Sequence, residues 1–415
     1  MKKIIYIHIN RLMLACAAVI LILFSACVEK EDGLFHPVIT EIRNYAPAPN
    51  DTLIQSLQPG QWVVLTGRNL TGATDILFNG VSAVVNNGLF SDNYAVVQVP
   101  GVIPFPLVPT ELLNTVRYIT NKGLTTYSFE ISAPAPAITR ISNENANAGD
   151  SVVVFGSNLF MLNKFSFAGT EITEYKSSPD GTFVSFKMPE ITGSGPVVVE
   201  NNTGGYSTPF NVNDPTGTLC NFDDVNTFGW GANIVNNNPL YPSSRGNFAV
   251  LQNNGLNAGN SSWWEGGRSM NTNPVQWIPQ ASLSDAVSEY VFKFEINVPG
   301  EWNGATLLVL KDFNWGYVAR YEPWRISSSR TSPFTTEGNW ITVTIPFSEF
   351  RNKPQGGKDG TGLSIASLKD LLGDSGNGSL SIFIINDSSE ATAAMNIAID
   401  NLRVVKVIEP EEEED

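Results

Sequence analysis

Three of the nine tryptophans, Trp230, Trp263 and Trp264, stand in sequence with almost no apolar company: Phe228-Gly229-Trp230-Gly231-Ala232-Asn233 and Asn260-Ser261-Ser262-Trp263-Trp264-Glu265-Gly266-Gly267. A core position has no need of so flexible a backbone, and two adjacent tryptophans cannot both point inward from an extended strand. Flat indole faces beside Asn, Glu and Gly suit a pyranose ring, which has an apolar C–H face and a rim of hydroxyls. One stacked face of about 100 Å² at roughly 25 cal/mol/Å² contributes about 2.5 kcal/mol, before ordering and association costs are subtracted. Several such faces predict micromolar to millimolar binding of a glycan chain. Other tryptophans of the region read differently. Trp340 opens a strand, Trp277 precedes Ile278-Pro279, and Trp302 follows Pro299-Gly300-Glu301 in a turn. Trp315 and Trp324 flank a run containing Arg320 and Tyr321, which could be core or binding edge.

Other chemistry is poorly provided for. The two histidines are His8 and His36, so a Ser-His-Asp triad or a multi-histidine metal site is not available. A glycoside hydrolase needs two carboxylates flanking the bond, one of them protonated. Asp223, Asp224, Glu265, Asp312 and Glu322 are candidates, but none sits in a recognisable catalytic motif. Asp223 and Asp224 could instead approach Asp400 of the last strand around a structural Ca²⁺. No metal ligand set and no cofactor is otherwise expected. With 25 basic against 40 acidic residues, the chain lacks the clustered charge that a nucleic-acid partner requires.

Residues 1–26 carry Lys2, Lys3 and Arg11, then an uncharged run from Leu12 to Phe24, then Ser25-Ala26 before Cys27. That is the layout of a secretory signal, and its apolar run is short for a spanning helix. Small residues directly before a cysteine resemble a bacterial lipobox, which implies cleavage before Cys27 and acylation of its thiol. An acidic stretch, Glu29-Lys30-Glu31-Asp32, follows. Losing residues 1–26 removes three positive charges and no negative ones from a formal −15, so a lipid and not electrostatic attraction would hold the chain at a membrane. Cys220 is then the one remaining thiol, and no intrachain disulfide can form.

The elements that must position the aromatics are strands. Pro37-Val38-Ile39-Thr40-Glu41-Ile42 is echoed by Pro136-Ala137-Ile138-Thr139-Arg140-Ile141. Gly60 to Leu70 is echoed by Gly149 to Leu159, Phe78-Asn79-Gly80 by Phe167-Ala168-Gly169, and Val99-Pro100 by Met188-Pro189, all at an offset of 89. The first copy has about ten extra residues, Asn44 to Gln55, that predict an enlarged loop. Short alternating strands between Gly, Asn and Pro read as antiparallel sandwiches. Gly67 and Gly156 would supply a tight bend, and Asn69 and Asn158 a turn. Beyond residue 216, Tyr290 to Val298 alternates aromatic and aliphatic residues with Lys293, Glu295 and Asn297, a half-buried strand. Ala305–Leu310, Trp340–Pro346, Leu380–Ile385 and Ile397–Val407 are further strands, and Ser367–Leu372 a short helix stopped by Gly373. A two-sheet β-sandwich or jelly roll follows.

The pattern P-x-I-T-x-I, G-x-x-V-x-x-x-G-x-N-L and F-x-G resembles the immunoglobulin-like IPT/TIG fold. With the lipobox, the two such copies and the Trp-rich module opening at Cys220-Asn221-Phe222-Asp223-Asp224, the chain resembles the surface glycan-binding lipoproteins of outer-membrane polysaccharide-uptake systems, of the kind that captures xyloglucan, mixed-linkage β-glucan and related chains. The family places a Trp about 34 residues before an aromatic-Trp pair, which Trp230 with Trp263-Trp264 matches; Arg320, Tyr321 and Trp324 match more loosely. The resemblance implies an all-β chain: a signal peptide at 1–26, an acidic tether at 27–36, IPT/TIG domains at 37–133 and 134–213, a glycan-binding sandwich at 214–408 and an acidic tail at 409–415. It implies a non-catalytic, lipid-anchored protein of the outer-membrane surface, with a polysaccharide ligand and a transporter complex and glycosidase as partners. The alternatives are a surface adhesin with a protein ligand, and a glycoside hydrolase.

Overall fold

The G-x-N steps of the two repeats are the places where the chain has least choice. In the computed structural model, which describes residues 36–407, a Cβ on Gly67 would lie 1.8 Å from the Val38 carbonyl oxygen, and one on Gly156 1.8 Å from that of Ala137. Each glycine sits opposite a β-bulge in the preceding strand, between Ile39 and Glu41 and between Ile138 and Arg140. Two residues on, Asn69 and Asn158 take φ of 58° and 54°. Their side-chain amides donate to the carbonyls of His36, at 2.9 Å, and Ala135, at 3.0 Å. The expected signal segment, Cys27, most of the acidic tether and the acidic tail lie outside the described residues.

The described chain forms two compact units, one of residues 36–103 and 108–132, the other of 104–107 and 133–407. In the first unit a sheet of Val38–Asn44, Trp62–Arg68 and Tyr94–Gln98 faces one of Val81–Ser82, Ala73–Phe78, Thr115–Thr120 and Gly123–Ser128. Ile42, Val63, Leu65, Ile76, Phe78 and Val116 are buried between them. The second copy repeats the plan, with sheets built on Ser151–Ser157 and on Val197–Asn201.

The C-terminal sandwich has a six-stranded sheet carrying Thr218–Cys220, Asn233–Asn236, Asn247–Leu256, Tyr290–Asn297, Trp340–Pro346 and Thr392–Lys406. Its five-stranded partner runs in the order Phe228–Trp230, Ser269–Thr272, Leu380–Ile385, Thr306–Lys311, Ala319–Tyr321. Phe292, Phe294 and Ile296 meet Leu307, Val309, Ile382 and Ile384 in the core. The one α-helix among the described residues is Leu368–Leu372; Asp370 accepts from the Ser367 backbone N–H at 2.8 Å, and Gly373 ends it at φ 68°.

One expectation fails instructively. Tyr290–Asn297 is buried at every residue, not on one face. Its polar face is covered by the second IPT/TIG-like copy, which lies in the same compact unit. Glu144 from that copy pairs with Lys293 at 2.6 Å and Arg403 at 3.0 Å, and Arg403 pairs with Glu295 at 2.8 Å. Thr342 donates to Glu295 at 2.8 Å and accepts from the Glu144 backbone N–H at 2.8 Å. Burial, reinforced by Arg403, lowers the Lys293 ammonium below its ordinary range, and Glu144 opposes this. The chain at 213 is pinned as well: Arg245 donates to the Asn213 side chain at 2.8 Å.

Candidate functional site

Both faces of the five-stranded sheet are apolar. Along Leu380–Ile385 the even residues enter the main core, while Phe383 and Ile385 form a second cluster on the outer face with Leu308, Leu310 and Val318. Leu308 is paired with both Phe383 and Arg320, so these three share that face. Phe383 is its centre. Trp263 stacks on it at 4.3 Å and 18°, Trp315 at 6.0 Å and 25°, and Phe313 tilts against it at 5.7 Å.

The exposed rings stand on this base. Trp230, on the edge strand beside Asn271, lies parallel to Phe313, with centroids 5.9 Å apart and planes 8° apart. Trp264 meets Trp263 edge-on at 5.5 Å and 89°. Trp264 is 63% exposed and Trp230 42%, whereas Trp263 is half-buried. The structure therefore brings all three expected residues together but divides their work: Trp230 and Trp264 present faces, and Trp263 is the buttress between them and Phe383.

The loop carrying the pair is tied down. Arg268, with its side chain almost fully buried, donates to the Glu265 carboxylate at 2.8 Å, the Glu265 carbonyl at 2.9 Å and the Asn260 side chain at 3.2 Å. Asn386 donates its backbone N–H to the Asn260 carbonyl at 2.8 Å and its amide to the Asn257 carbonyl at 2.9 Å. The Phe313 turn is held likewise, by Asp312 accepting from the Ser379 N–H at 2.6 Å. Asp312 and Phe313 have φ of 52° and 55°, a costly backbone for a bulky side chain and one that aims the Phe313 ring at Trp230. Phe313 and Phe383 escaped the sequence reading: Phe383 lies in the apolar run Leu380–Ile385, and Phe313 is set by two successive positive-φ residues, which cannot be read from residue types alone.

The looser candidates separate. Arg320 lies on the aromatic side, where it pairs with Asp387 at 2.8 Å and Glu322 at 2.7 Å and donates to the Asp359 carbonyl at 2.9 Å. Burial alone would raise the Asp387 and Glu322 carboxyls, but Arg320 holds both below the usual range. Tyr321, the next residue on the strand, points the other way, edge-on to Trp302 at 5.7 Å and Phe294 at 6.1 Å. Trp324 is buried, donating its indole N–H to the Ala305 carbonyl at 2.7 Å. Neither is a platform residue. Trp277, Trp302 and Trp340 are buried too, each with its indole N–H on a backbone carbonyl.

Glu265 and Glu322 are engaged by arginines, and Asp223 accepts from Asn247 at 2.6 Å. Asp400, whose carboxyl is pushed up to about 9 by burial and by neighbouring Glu295 and Asp223, lies on the opposite sheet. Among the described residues no group of three or more His, Cys, Asp or Glu could hold a metal ion. A polar cavity of about 560 Å³, lined by Asn145, Asn147, Asp223, Asp224, Arg245 and Arg403, has no aromatic floor and is no pyranose platform.

Residues 212–406 match the family model of the surface glycan-binding protein B xyloglucan binding domain. The chain resembles the surface glycan-binding B proteins. The solved structure of PbSGBP-B from Prevotella bryantii superposes with a TM-score of 0.66 at 25% identity, covering 89% of this chain and 98% of that one. An SGBP-B from a complex xyloglucan utilization locus of Bacteroides uniformis shares the fold, with a TM-score of 0.54 at 19% identity over 89% and 99% of the two chains. An IPT/TIG domain-containing protein of Bacteroides ovatus is 27% identical over 229 residues, 51% of this chain and 47% of that protein. The match to that curated relative thus spans about half its length. The all-β organisation is shared with these solved surface glycan-binding proteins.

Proposed function

We propose that the protein captures a β-linked polysaccharide, of the xyloglucan or mixed-linkage β-glucan class, on the Trp230, Trp264 and Phe313 surface of its last domain. The observation that carries this reading is the supported aromatic surface itself. Two widely exposed indoles are held by Phe313, Trp263 and Phe383 in fixed attitudes, on a sheet face already filled by Leu308 and Leu310. Rings held this way bind without first losing rotamer freedom. The charges nearest them are satisfied internally, through Arg268–Glu265 and Arg320–Asp387, so the surface favours a neutral chain over an ion. The family match over 212–406 supports the same ligand class.

In this reading Cys27 carries a lipid that holds the protein at the outer-membrane surface, where it hands glycan to a transporter and glycosidase. No helix among the described residues is long and apolar enough to cross a membrane. Affinity electrophoresis of residues 28–415 through gels containing xyloglucan, mixed-linkage β-glucan, mannan or xylan tests the ligand. Retardation by a β-glucan, with no reducing sugar released from it, is the expected result. Free migration in every gel overturns the reading, and sugar release would restore the hydrolase.

A further inference from the structure

The ninth tryptophan, Trp62, and the loop inserted in the first IPT/TIG-like copy remain without a role in that account. The insertion is well built. Asn44 N–H donates to the Thr52 carbonyl at 2.9 Å, Asn50 N–H to the Pro47 carbonyl at 2.9 Å, and the Arg43 guanidinium to the Asp51 carbonyl at 2.6 Å. It returns along the sheet edge and sets Tyr45 beside Trp62, ring centroids 6.1 Å apart and planes 43° apart. Tyr45 is 57% and Trp62 44% exposed. The sheet's inner face is already filled by Val63, Leu65, Ala95 and Val97, so the core has no use for these rings.

The second copy lacks this feature. At the offset of 89, Trp62 and its cross-strand neighbour Gln98 become Ser151 and Lys187, and the insertion is missing. Along the outer face of the first copy, Trp62 is followed by the Val64–Val96 pair and by Thr66 with Tyr94, itself 49% exposed. Four residues at about 3.3 Å give an aromatic-ended strip roughly 13 Å long. Arg43 lies 2.8 Å from Glu41 and 3.9 Å from Asp51, so the cation is held by two carboxylates.

We propose that Tyr45 and Trp62 form a second carbohydrate-stacking site, on the first IPT/TIG-like sandwich, for a neutral β-linked glycan. Two fixed, tilted rings offer C–H stacking, and Gln98, paired across the strands with Trp62 and held by its amide N–H on the Gly60 carbonyl at 2.9 Å, offers its amide oxygen as an acceptor. Arg43, already held by two carboxylates, is not a free cation for an anionic ligand. The proposal rests on the reading that the protein binds a glycan, and the two are separable by experiment.

The test uses residues 28–415 and soluble xyloglucan and mixed-linkage β-glucan, by affinity electrophoresis and calorimetry, with thermal melts to check folding. Trp62→Ala in the otherwise intact chain is expected to weaken binding to the long polysaccharide about fivefold, because two sites engage one polymer. A Trp230→Ala/Trp264→Ala chain is expected to keep weak retardation that Trp62→Ala or Tyr45→Ala abolishes and Trp62→Tyr preserves. Unchanged binding on adding Trp62→Ala and Tyr45→Ala in both backgrounds overturns the second site and leaves the C-terminal one standing. An unaltered chain that binds neither glucan overturns both.

Discussion

Trp263 lies face to face with Phe383, centroids 4.3 Å apart and planes 18° from parallel, and by doing so fixes where Trp264 and Trp230 can stand. Of the three tryptophans singled out by their neighbours, it is the half-buried one, packed beneath two exposed rings.

Removing each ring should therefore have a different consequence. Trp230→Ala and Trp264→Ala should each cost about 1.5–2.5 kcal/mol of glycan binding, roughly ten- to seventyfold, while leaving the melting temperature nearly unchanged. Trp263→Ala should lower both affinity and stability, and Trp263→Phe should restore most of the stability. Calorimetric titration paired with thermal melts separates the cases. Equal loss of stability in all three variants would count against the division of roles.

Phe313 is expected to matter through Trp230. Phe313→Ala should weaken binding by about the same factor as Trp230→Ala, and the double variant should lose less than the product of the two, because the rings are stacked at 5.9 Å and 8°. Strict additivity in that double-mutant cycle would show that Trp230 holds its attitude unaided.

The Arg320 cluster gives a pH signature. Arg320 depresses the Asp387 and Glu322 carboxyls, so its stabilisation is fully present above their ordinary values and is lost as pH falls through the folded-state values. Arg320→Met leaves two half-buried carboxylates with only Arg325 and Lys358 as partners and should cost about 2–3 kcal/mol at pH 7. The gap between the variant and the parent should close toward pH 3, as urea titrations at the two pH values would reveal. A gap independent of pH would mean that the loss is one of packing alone.

Glu144 should hold the second sandwich to the third. Glu144→Ala strands the buried Lys293 and leaves Arg403 with Glu295 alone, at a cost of about 3–5 kcal/mol. Limited proteolysis should then cut near residues 213–216 where the parent resists. Since Glu144 is paired to the six-stranded sheet and the rings stand on the five-stranded one, glycan affinity of the folded fraction should be unchanged; a parallel loss of affinity would instead tie this joint to the platform.

Residue types alone settled the repeat and its turns, because a glycine on which a Cβ would lie 1.8 Å from a carbonyl oxygen and an asparagine at positive φ allow few other residues. They also settled the all-β class and set Trp230, Trp263 and Trp264 apart by their polar, Gly-rich neighbours. Two things were decided only in three dimensions. A period of two shows that a strand has two different faces but not what covers each: Lys293 and Glu295 read as solvent-facing until Glu144 and Arg403 arrive from 149 residues before Lys293 and 108 after Glu295. For the same reason Phe383, one apolar residue among six, became the floor of the site, while Tyr321 and Trp324 turned into the core. Which aromatic stays in water depends on which face its strand turns outward and on what else packs there, and those are properties of the assembled sheets.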